Sequence, residues 1–373
     1  MKKTTLSTMV ATILLGSFTA QAERPTFDFG DELNVQNRCI IQFNDNISVH
    51  DVKGLAHGLA QRANSSVRHT YAHSIKGFTV NMPCHAAQAA FGNDASVKSM
   101  RPDGVVSVSK GKPGGGGGST SQTTPWSVTR VGGPVDGTGY TAWVIDTGID
   151  LDHPDLNVDA SRGFSAINRG NMDDGNGHGT HVAGTIAAKN NNQDVVGIAA
   201  GATVIPVQVL DRRGSGSYSG VIAGVDHVAA NAAAGDCANM SLGGPISQDL
   251  DDAVKAAAQN GIIFALAAGN DGDDANNHSP ARANGNNIYT ISATDSSDRL
   301  ASWSNFGNPP VDYAAPGVSI LSLKAGGGTT TMSGTSMASP AACAVLMLTN
   351  GRPGTDGTAK NDPDGSPDPI IHL

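Results

Sequence analysis

The hydrophobic pattern of residues 122–373 alternates between two kinds of segment. Short, continuous apolar runs are typical of strands buried on both faces of a sheet, and the longer stretches between them favour helices. This alternation predicts an α/β fold in which helices cover both faces of a parallel sheet, giving three layers. The predicted strands are residues 142–145, 203–210, 237–241, 262–267 and 288–293, and the predicted helices are residues 178–188, 219–234, 250–260 and 336–348.

A different pattern precedes this region, between residues 38 and 109. It predicts a small, ferredoxin-like α+β domain with its elements in the order β-α-β-β-α-β. The predicted strands are residues 39–43, 67–72, 77–82 and 105–108, and the predicted helices are residues 50–64 and 85–91.

The first residues of the chain have the features of a secretory signal peptide. Lys2 and Lys3 precede an apolar segment at residues 9–18, and the small residues Ala20 and Ala22 mark a cleavage site. The segment is too short to span a membrane. We therefore expect an exported, secreted protein that binds no membrane, with residues 1–22 removed. The net charge of -9 argues against a nucleic-acid partner.

The two predicted domains are separated by a glycine-rich segment. Residues 114–118 are all glycine. A run without side chains behaves as a flexible linker that proteases cut readily. The expected organisation is therefore a small domain within residues 23–109, a linker at residues 110–121 and a large domain at residues 122–373.

Four polar residues stand where this fold would place chemical groups together. Asp146 ends an apolar strand, His178 follows a glycine-rich turn, Asn270 ends another strand and Ser336 begins a helix. The carboxyl ends of parallel strands are the usual position of sites in such sheets. Each residue alone also has a structural interpretation, as a turn residue, a loop histidine, an Asx turn and a helix cap respectively.

The order Asp146, His178, Ser336 is that of the subtilisin form of the catalytic triad. The chain resembles the subtilisin-like serine peptidases in motifs that occur in the family's order and span most of the chain after residue 124. The matching motifs are residues 144–148, 178–184, 239–244, 268–270 and 334–340.

The resemblance implies a role for each of these residues. Asp146 would orient His178, which would take the proton from Ser336 as it attacks a peptide carbonyl, and Asn270 would stabilise the oxyanion. Backbone pairing with an extended peptide and a roomy apolar pocket for large hydrophobic side chains are also implied. The implied substrate contacts are Ser241, Leu242 and Gly243 on one side, Gly214, Ser215 and Gly216 on the other, and Ala268 and Gly269 in the pocket wall. Residues 214–219 alone also read as a flexible surface loop.

The resemblance further implies a structural calcium site. Calcium takes about six to eight oxygen ligands in a flexible cage. The implied ligands are side-chain oxygens of Gln122, Asp155 and Asn191 and backbone carbonyls of Lys189, Gln193 and Val195. A polar surface loop without an ion is the alternative.

Four cysteines in an exported chain favour disulfides. Cys39 begins the first strand of the small domain and Cys84 follows the third, and these strands are neighbours in a ferredoxin-like sheet. A Cys39–Cys84 bond is therefore expected. Cys237 and Cys343 either pair or remain two buried thiols.

In this family a domain at the position of the small domain is an inhibitory propeptide. The resemblance thus implies a monomeric zymogen, acting on protein or peptide substrates, that cuts itself at the linker or near Ser109. Two features depart from the family pattern. Ser339 and Pro340 are followed by residues 341–344, Ala-Ala-Cys-Ala, instead of the usual His-Val-Ala-Gly, which leaves the triad intact, and the short tail leaves open how the lower part of the helix at residues 336–348 is covered. The acidic segment at residues 362–368 is expected to be solvated and disordered, with the binding of an ion as the alternative.

Two other functions remain as alternatives. A catalytically silent relative would bind peptides in the same groove. An esterase is disfavoured because Ser336 lacks the Gly-x-Ser-x-Gly motif.

Overall fold

The computed structural model describes residues 34–108, 121–167 and 170–373. The predicted signal peptide and nearly all of the predicted linker lie outside these residues. In the part of the chain that is described, no helix is long and apolar enough to cross a membrane.

The small domain has a four-stranded antiparallel sheet in the order β2-β3-β1-β4, covered by two helices. The side chains of Ile41, Phe43, Phe78 and Phe91 form the centre of its core. Its elements are β1 (Cys39–Phe43), α1 (Val49–Arg62), β2 (Val67–Tyr71), β3 (Gly77–Val80), α2 (Cys84–Phe91) and β4 (Val97–Pro102).

Residues 105–108 form a strand, as predicted, but the prediction that this strand completes the sheet of the small domain was wrong. Its place at the sheet edge is taken by β4, whose mixed polar sequence gave no apolar signal. The apolar run that was assigned to it is a separate strand, β5 (Val105–Val108), which pairs with the large domain and not with the small one. Val106 and Val108 are buried there. The apolar character of β5 therefore reflects burial between domains.

The large domain contains a ten-stranded sheet in the order β20-β21-β17-β16-β15-β13-β7-β11-β8, with β9 also paired to β11. The strands of the large domain, including six outside this sheet, are β6 (Val135–Asp136), β7 (Thr141–Asp146), β8 (Asn157–Val158), β9 (Phe164–Ser165), β10 (Ala199–Ala200), β11 (Thr203–Gln208), β12 (Ser215–Ser217), β13 (Cys237–Met240), β14 (Leu242–Gly243), β15 (Ile263–Ala267), β16 (Ile288–Thr294), β17 (Val311–Pro316), β18 (Ile320–Leu323), β19 (Thr329–Met332), β20 (Gly354–Thr358) and β21 (Pro369–His372). The helices are α3 (Trp126–Arg130), α4 (His178–Ala187), α5 (Tyr218–Asn231), α6 (Gln248–Ala258) and α7 (Thr335–Leu348).

Side chains of β7 alternate between two hydrophobic cores. Ala142 and Val144 pack with α4 and α7 on one face of the sheet, whereas Trp143 and Ile145 pack with α5 and α6 on the other. Alternation of this kind is what a strand buried on both faces produces. The predicted three-layer α/β fold is therefore present.

The expectation of a disordered acidic tail was wrong for its last residue. Asp368 is fully buried, and its carboxylate accepts hydrogen bonds from the Ser292 hydroxyl and the Asn308 amide. β21 follows directly and buries Ile370 and Ile371. Ile371 belongs to the same core cluster as α7, so this last strand helps to cover the helix that carries Ser336.

Both cysteine pairs are joined. Cys39 is bonded to Cys84 in the small domain, as predicted, and Cys237 is bonded to Cys343 in the large one. The second bond links β13 to α7. Of the two alternatives for that pair, the disulfide is the one present.

Candidate active site

Asp146 and His178 meet where β7 ends and α4 begins. The Nδ1 atom of His178 lies 2.8 Å and 3.0 Å from the two carboxylate oxygens of Asp146, which is fully buried. The close approach of α4 depends on Gly179, because a Cβ there would lie 2.0 Å from the Gly148 carbonyl oxygen. The strand end and the helix start thus form one acid–base pair.

Asp174 is a member of this region that the sequence interpretation missed. One of its oxygens accepts hydrogen bonds from the Thr147 hydroxyl at 2.9 Å and from Gly177 N at 2.8 Å. The other accepts from the backbone N–H and the hydroxyl of Thr180. Because Gly177 has no side chain, Asp174 supplies the cap at the start of α4 and ties it to the residue after Asp146.

The surroundings of His178 favour its protonated form. Burial lowers its pKa, but the charge and hydrogen bond of Asp146, together with the charge of Asp174, raise the pKa above the ordinary histidine value. Nε2 of His178 is buried and has no hydrogen-bond partner among the described residues. In contrast, burial lowers the pKa of His181 to about 3, and its Nε2 atom lies 3.0 Å from the Ile320 carbonyl oxygen.

Ser336 lies in the first turn of α7 and is fully buried. Its hydroxyl donates to the Ser241 carbonyl oxygen at 3.0 Å. The residue before it, Thr335, was missed by the sequence interpretation. Both the backbone N–H and the hydroxyl of Thr335 donate to the Asn270 side-chain oxygen. The amide nitrogen of Asn270 is buried and unpartnered within the described parts of the chain, so it is a free donor.

The groove beside these residues holds a strand of the protein itself. β5 lies antiparallel between β12 and β14, so that Ser107 pairs with Ser215 on one side and with Gly243 on the other. Val106 pairs with Gly216, and Val108 pairs with Leu242 and donates its backbone N–H to the Gly214 carbonyl at 2.8 Å. Both segments that were expected to contact a substrate backbone therefore pair with β5.

A cleft of about 650 Å³ opens at the end of β5. Ser107 and Val108 line it on one side, and the small residues Ala268 and Gly269 line it on another, next to Asn270. Asp271 also lines the cleft, as do three polar residues that the sequence interpretation did not include, Asp273, Asn277 and His278.

The expected calcium ligands converge on a single point. The Gln122 amide nitrogen lies 2.8 Å from the Lys189 carbonyl oxygen, 3.4 Å from Asn191 Oδ1, 3.4 Å from the Gln193 carbonyl and 3.3 Å from the Val195 carbonyl. Four oxygens thus surround one donor, and a side-chain amide can rotate to present its oxygen instead.

Asp155 completes this set. One of its oxygens accepts from the Asn191 amide at 2.6 Å, and the other is buried without a partner in the described chain. Burial raises its pKa to about 6. No cluster of three His, Cys, Asp or Glu side chains able to hold a metal occurs in residues 34–108, 121–167 and 170–373. An ion here would rely on carbonyl and amide oxygens, which suit calcium.

The known proteins that are similar to this chain are serine proteases. The subtilase family model matches residues 137–356. Alkaline serine exoprotease A of Vibrio alginolyticus is 40% identical over 295 residues, covering 76% of this chain and 53% of that protein. Subtilisin-like serine protease AsES of Sarocladium strictum is 38% identical over 307 residues, covering 78% and 74%. Subtilisin-like protease 3 of Trichophyton equinum is 37% identical over 366 residues, covering 92% and 90%.

A solved structure is similar as well. The crystal structure of a cold adapted subtilisin-like serine proteinase has a TM-score of 0.60 at 38% identity, covering 66% of this chain and 97% of that one. This chain spans about half the length of the Vibrio protein and most of the length of the Trichophyton protein. These matches identify the chain as a member of the subtilase family.

Proposed function

We propose that this protein is a secreted serine endopeptidase made as a zymogen that processes itself. The observations that carry the proposal are the buried Asp146–His178 pair, the buried Ser336 at the start of α7, a helix that packs in the same core as α4, and the unpartnered Asn270 amide beside the cleft. An acid, a base, a nucleophile and an oxyanion donor are the components of acyl transfer by serine.

Each group has a defined task in the proposed reaction. His178 takes the proton from the Ser336 hydroxyl while the oxygen attacks the peptide carbonyl, and Asp146 stabilises the imidazolium that forms. The Asn270 amide and the Ser336 backbone N–H donate to the resulting oxyanion. His178 then gives its proton to the leaving amine, and water hydrolyses the acyl-enzyme by the same route.

The substrate is an extended polypeptide. Gly214, Ser215 and Gly216 would pair with its backbone on one side, and Ser241, Leu242 and Gly243 on the other, as β12 and β14 pair with β5. Ala268 and Gly269 leave room for a large side chain beside the scissile bond. We infer a broad specificity with a preference for large hydrophobic residues at that position.

The small domain is the inhibitory propeptide in this proposal. β5 fills the groove that a substrate would occupy, and it ends beside the cleft. Self-cleavage would fall after β5, near Ser109 or within residues 110–121. Export follows from the signal-like segment at residues 1–22, and the mature enzyme would act as a monomer.

A calcium ion would stabilise the mature fold. Gln122, Asp155, Lys189, Asn191, Gln193 and Val195 would hold it. The second Asp155 oxygen supports this assignment, because a buried, charged oxygen without a partner is costly unless a cation joins it. When bound, the ion supplies charge neutralisation between distant segments and no chemistry in the reaction.

The test compares the precursor with its Ser336→Ala variant, in calcium, by intact mass and casein hydrolysis. The expected result is loss of the small domain and casein cleavage by the native chain, both abolished by the substitution. A folded native chain that neither processes itself nor cleaves casein would overturn the proposal.

A further inference from the structure

Helix α7 contains a proline at a position that affects the nucleophile. Pro340 lies inside the helix, four residues after Ser336. In a regular helix the backbone N–H of residue 340 would donate to the carbonyl of residue 336. Proline has no N–H, so the Ser336 carbonyl cannot obtain its helical hydrogen bond. This carbonyl is in the buried interior, where an unpaired acceptor is costly.

The missing donor is replaced by a side chain from another segment. The Ser241 hydroxyl donates to the Ser336 carbonyl oxygen at 2.8 Å. The Ser336 hydroxyl in turn donates to the Ser241 carbonyl oxygen at 3.0 Å. Two reciprocal hydrogen bonds thus connect Ser241, which directly follows β13, to Ser336, and both residues are fully buried.

Two further residues fix the direction in which the Ser241 hydroxyl points. The Asn239 amide nitrogen donates to the Ser241 hydroxyl oxygen at 2.8 Å. The Asn239 side-chain oxygen accepts from the Ser339 hydroxyl at 2.8 Å. Because the Ser241 oxygen already accepts from Asn239, its single hydrogen is directed at Ser336. The chain of hydrogen bonds runs from α7 through β13 and back to α7.

We propose that the side chain of Ser241 is a positioning group for the nucleophile. Its hydroxyl stands in for the N–H that Pro340 lacks, and it holds the backbone of Ser336, whose N–H and hydroxyl both take part in the proposed reaction. This inference rests on the proposed peptidase function. It is separate from the backbone contact that Ser241 would make with a substrate, which any residue at this position would retain.

The test is a double-substitution cycle in the full chain. Ser241→Ala removes the hydroxyl and leaves the Ser336 carbonyl unpaired, so we expect kcat on a peptide substrate to fall roughly tenfold to hundredfold, with KM changed less than about twofold. Pro340→Ala restores the helical N–H. In the double variant that N–H can pair with Ser336, and most of the loss in kcat should be recovered.

A second readout separates positioning from substrate binding. The rate constant for labelling Ser336 with a small fluorophosphonate requires no peptide in the groove. It should fall with Ser241→Ala and recover in the double variant. The matched control is Ser322→Ala, which removes a buried hydroxyl that donates to the His181 carbonyl at 2.7 Å. That carbonyl also accepts from the Thr185 hydroxyl, so the control should retain native rates.

Two outcomes overturn the inference: native kcat and labelling in Ser241→Ala, or a double variant as slow as Ser241→Ala alone. Failure of the proposed function would look different, because the unsubstituted chain would then cleave no peptide and Ser336 would not be labelled. A folded Ser241→Ala variant, with a melting temperature recovered by Pro340→Ala, separates the effect from general misfolding.

Discussion

Thr335 determines which way the Asn270 amide faces. Its backbone N–H and its hydroxyl both donate to the Asn270 side-chain oxygen at 2.9 Å. An amide held by its oxygen must present its NH₂ group on the other side. That nitrogen has no partner in the described residues, and Asn270 lines the cleft beside β5. An oriented, unpaired donor of this kind is what stabilisation of an oxyanion requires.

The first prediction concerns this donor. Asn270→Leu should lower kcat by about 10²–10³ with little change in KM, because the lost hydrogen bond forms only in the transition state. Thr335→Val keeps the backbone N–H and loses the hydroxyl, so its effect should be smaller, about tenfold. Steady-state kinetics on a peptide substrate measure both. Thr335→Ser, which retains the hydroxyl, is the control, and an Asn270→Leu variant with native kcat would exclude the amide from the reaction.

The second prediction follows from the raised pKa of His178. Burial lowers this pKa, and the charge and hydrogen bond of Asp146 more than offset that effect. The base must be neutral to accept a proton, so activity should be lost as pH falls through a pKa above the ordinary value of about 6.5. In Asp146→Asn the burial remains and only the smaller effect of the Asp174 charge opposes it, so the acid limb should move to lower pH while kcat falls by about 10⁴.

The pH dependence of kcat/KM measures this effect between about pH 5 and about pH 10. The exposed carboxylate of Asp152 offers a control for the change in net charge, and Asp152→Asn should leave the profile unchanged. An acid limb that stays in place in Asp146→Asn would show that another group controls it.

The third prediction concerns the hydrogen bonds by which the small domain contacts α5. Asp226 accepts hydrogen bonds from the backbone N–H groups of Ala72, His73 and Ser74 and from the Ser74 hydroxyl. Asp226→Ala leaves these donors unpaired, which should weaken the contact roughly tenfold to hundredfold. Activity should therefore appear sooner after processing. The lag between cleavage, followed by mass, and casein hydrolysis measures release; an unchanged lag, equal to that of Asp152→Ala, would contradict the prediction.

The elements that could be predicted from the sequence are those whose conformation depends mainly on residues close to them in the chain. The apolar run before Asp146 predicted β7, and the small-residue segment after His178 predicted α4. Both are determined mainly by residues near in the chain. The strand at residues 97–102 was missed because an edge strand needs little hydrophobic burial. The charged residues Lys98 and Arg101 interrupt the apolar pattern that would have indicated a strand.

Contacts between segments that are far apart in the sequence could not be predicted from local sequence patterns. Asp226 meets His73 across 153 positions of the chain, and nothing near either residue indicates the other. The same applies to Ser241 and Ser336, which are 95 positions apart. Asp174 did carry a local signal, since an acid four residues before a histidine at a helix start can cap that helix. Its connection to Thr147 depends on how β7 and α4 pack.

The fourth prediction tests the calcium site. In the Ser336→Ala background, which prevents self-digestion, calcium should raise the melting temperature and a chelator should lower it. At about 100 times the dissociation constant, the gain in free energy of unfolding should be about 2.7 kcal/mol. Asp155→Asn should remove this dependence. Asp194→Asn is a matched control in the same loop, because Asp194 has a positive φ of 44° that asparagine tolerates.

The response to calcium should also depend on pH. Burial raises the pKa of Asp155 to about 6. A proton and a cation compete for the same carboxylate, so the stabilisation should be large near pH 8 and much smaller near pH 5. Thermal unfolding with and without calcium at both values measures it. A gain that is equal at the two values, or that persists in Asp155→Asn, would exclude this carboxylate from the site.

The last prediction uses Asp312, a partly buried carboxylate that is not among the proposed calcium ligands. Burial raises the pKa of Asp312 to about 6, and the hydrogen bond that its carboxylate accepts from Thr290 N at 2.9 Å only partly opposes this shift. The folded protein therefore binds a proton more tightly than the unfolded chain. The contribution of Asp312 to stability is fully present below about pH 4, falls as pH rises to about 6, and is constant above that.

Asp312→Asn keeps an oxygen for Thr290 and removes the charge. It should raise the free energy of unfolding by about 1–3 kcal/mol near pH 8 and by almost nothing near pH 4. Urea unfolding of Ser336→Ala with and without the substitution measures this, with Asp152→Asn as the exposed control. A gain of equal size at both pH values would mean that packing, and not charge, explains it.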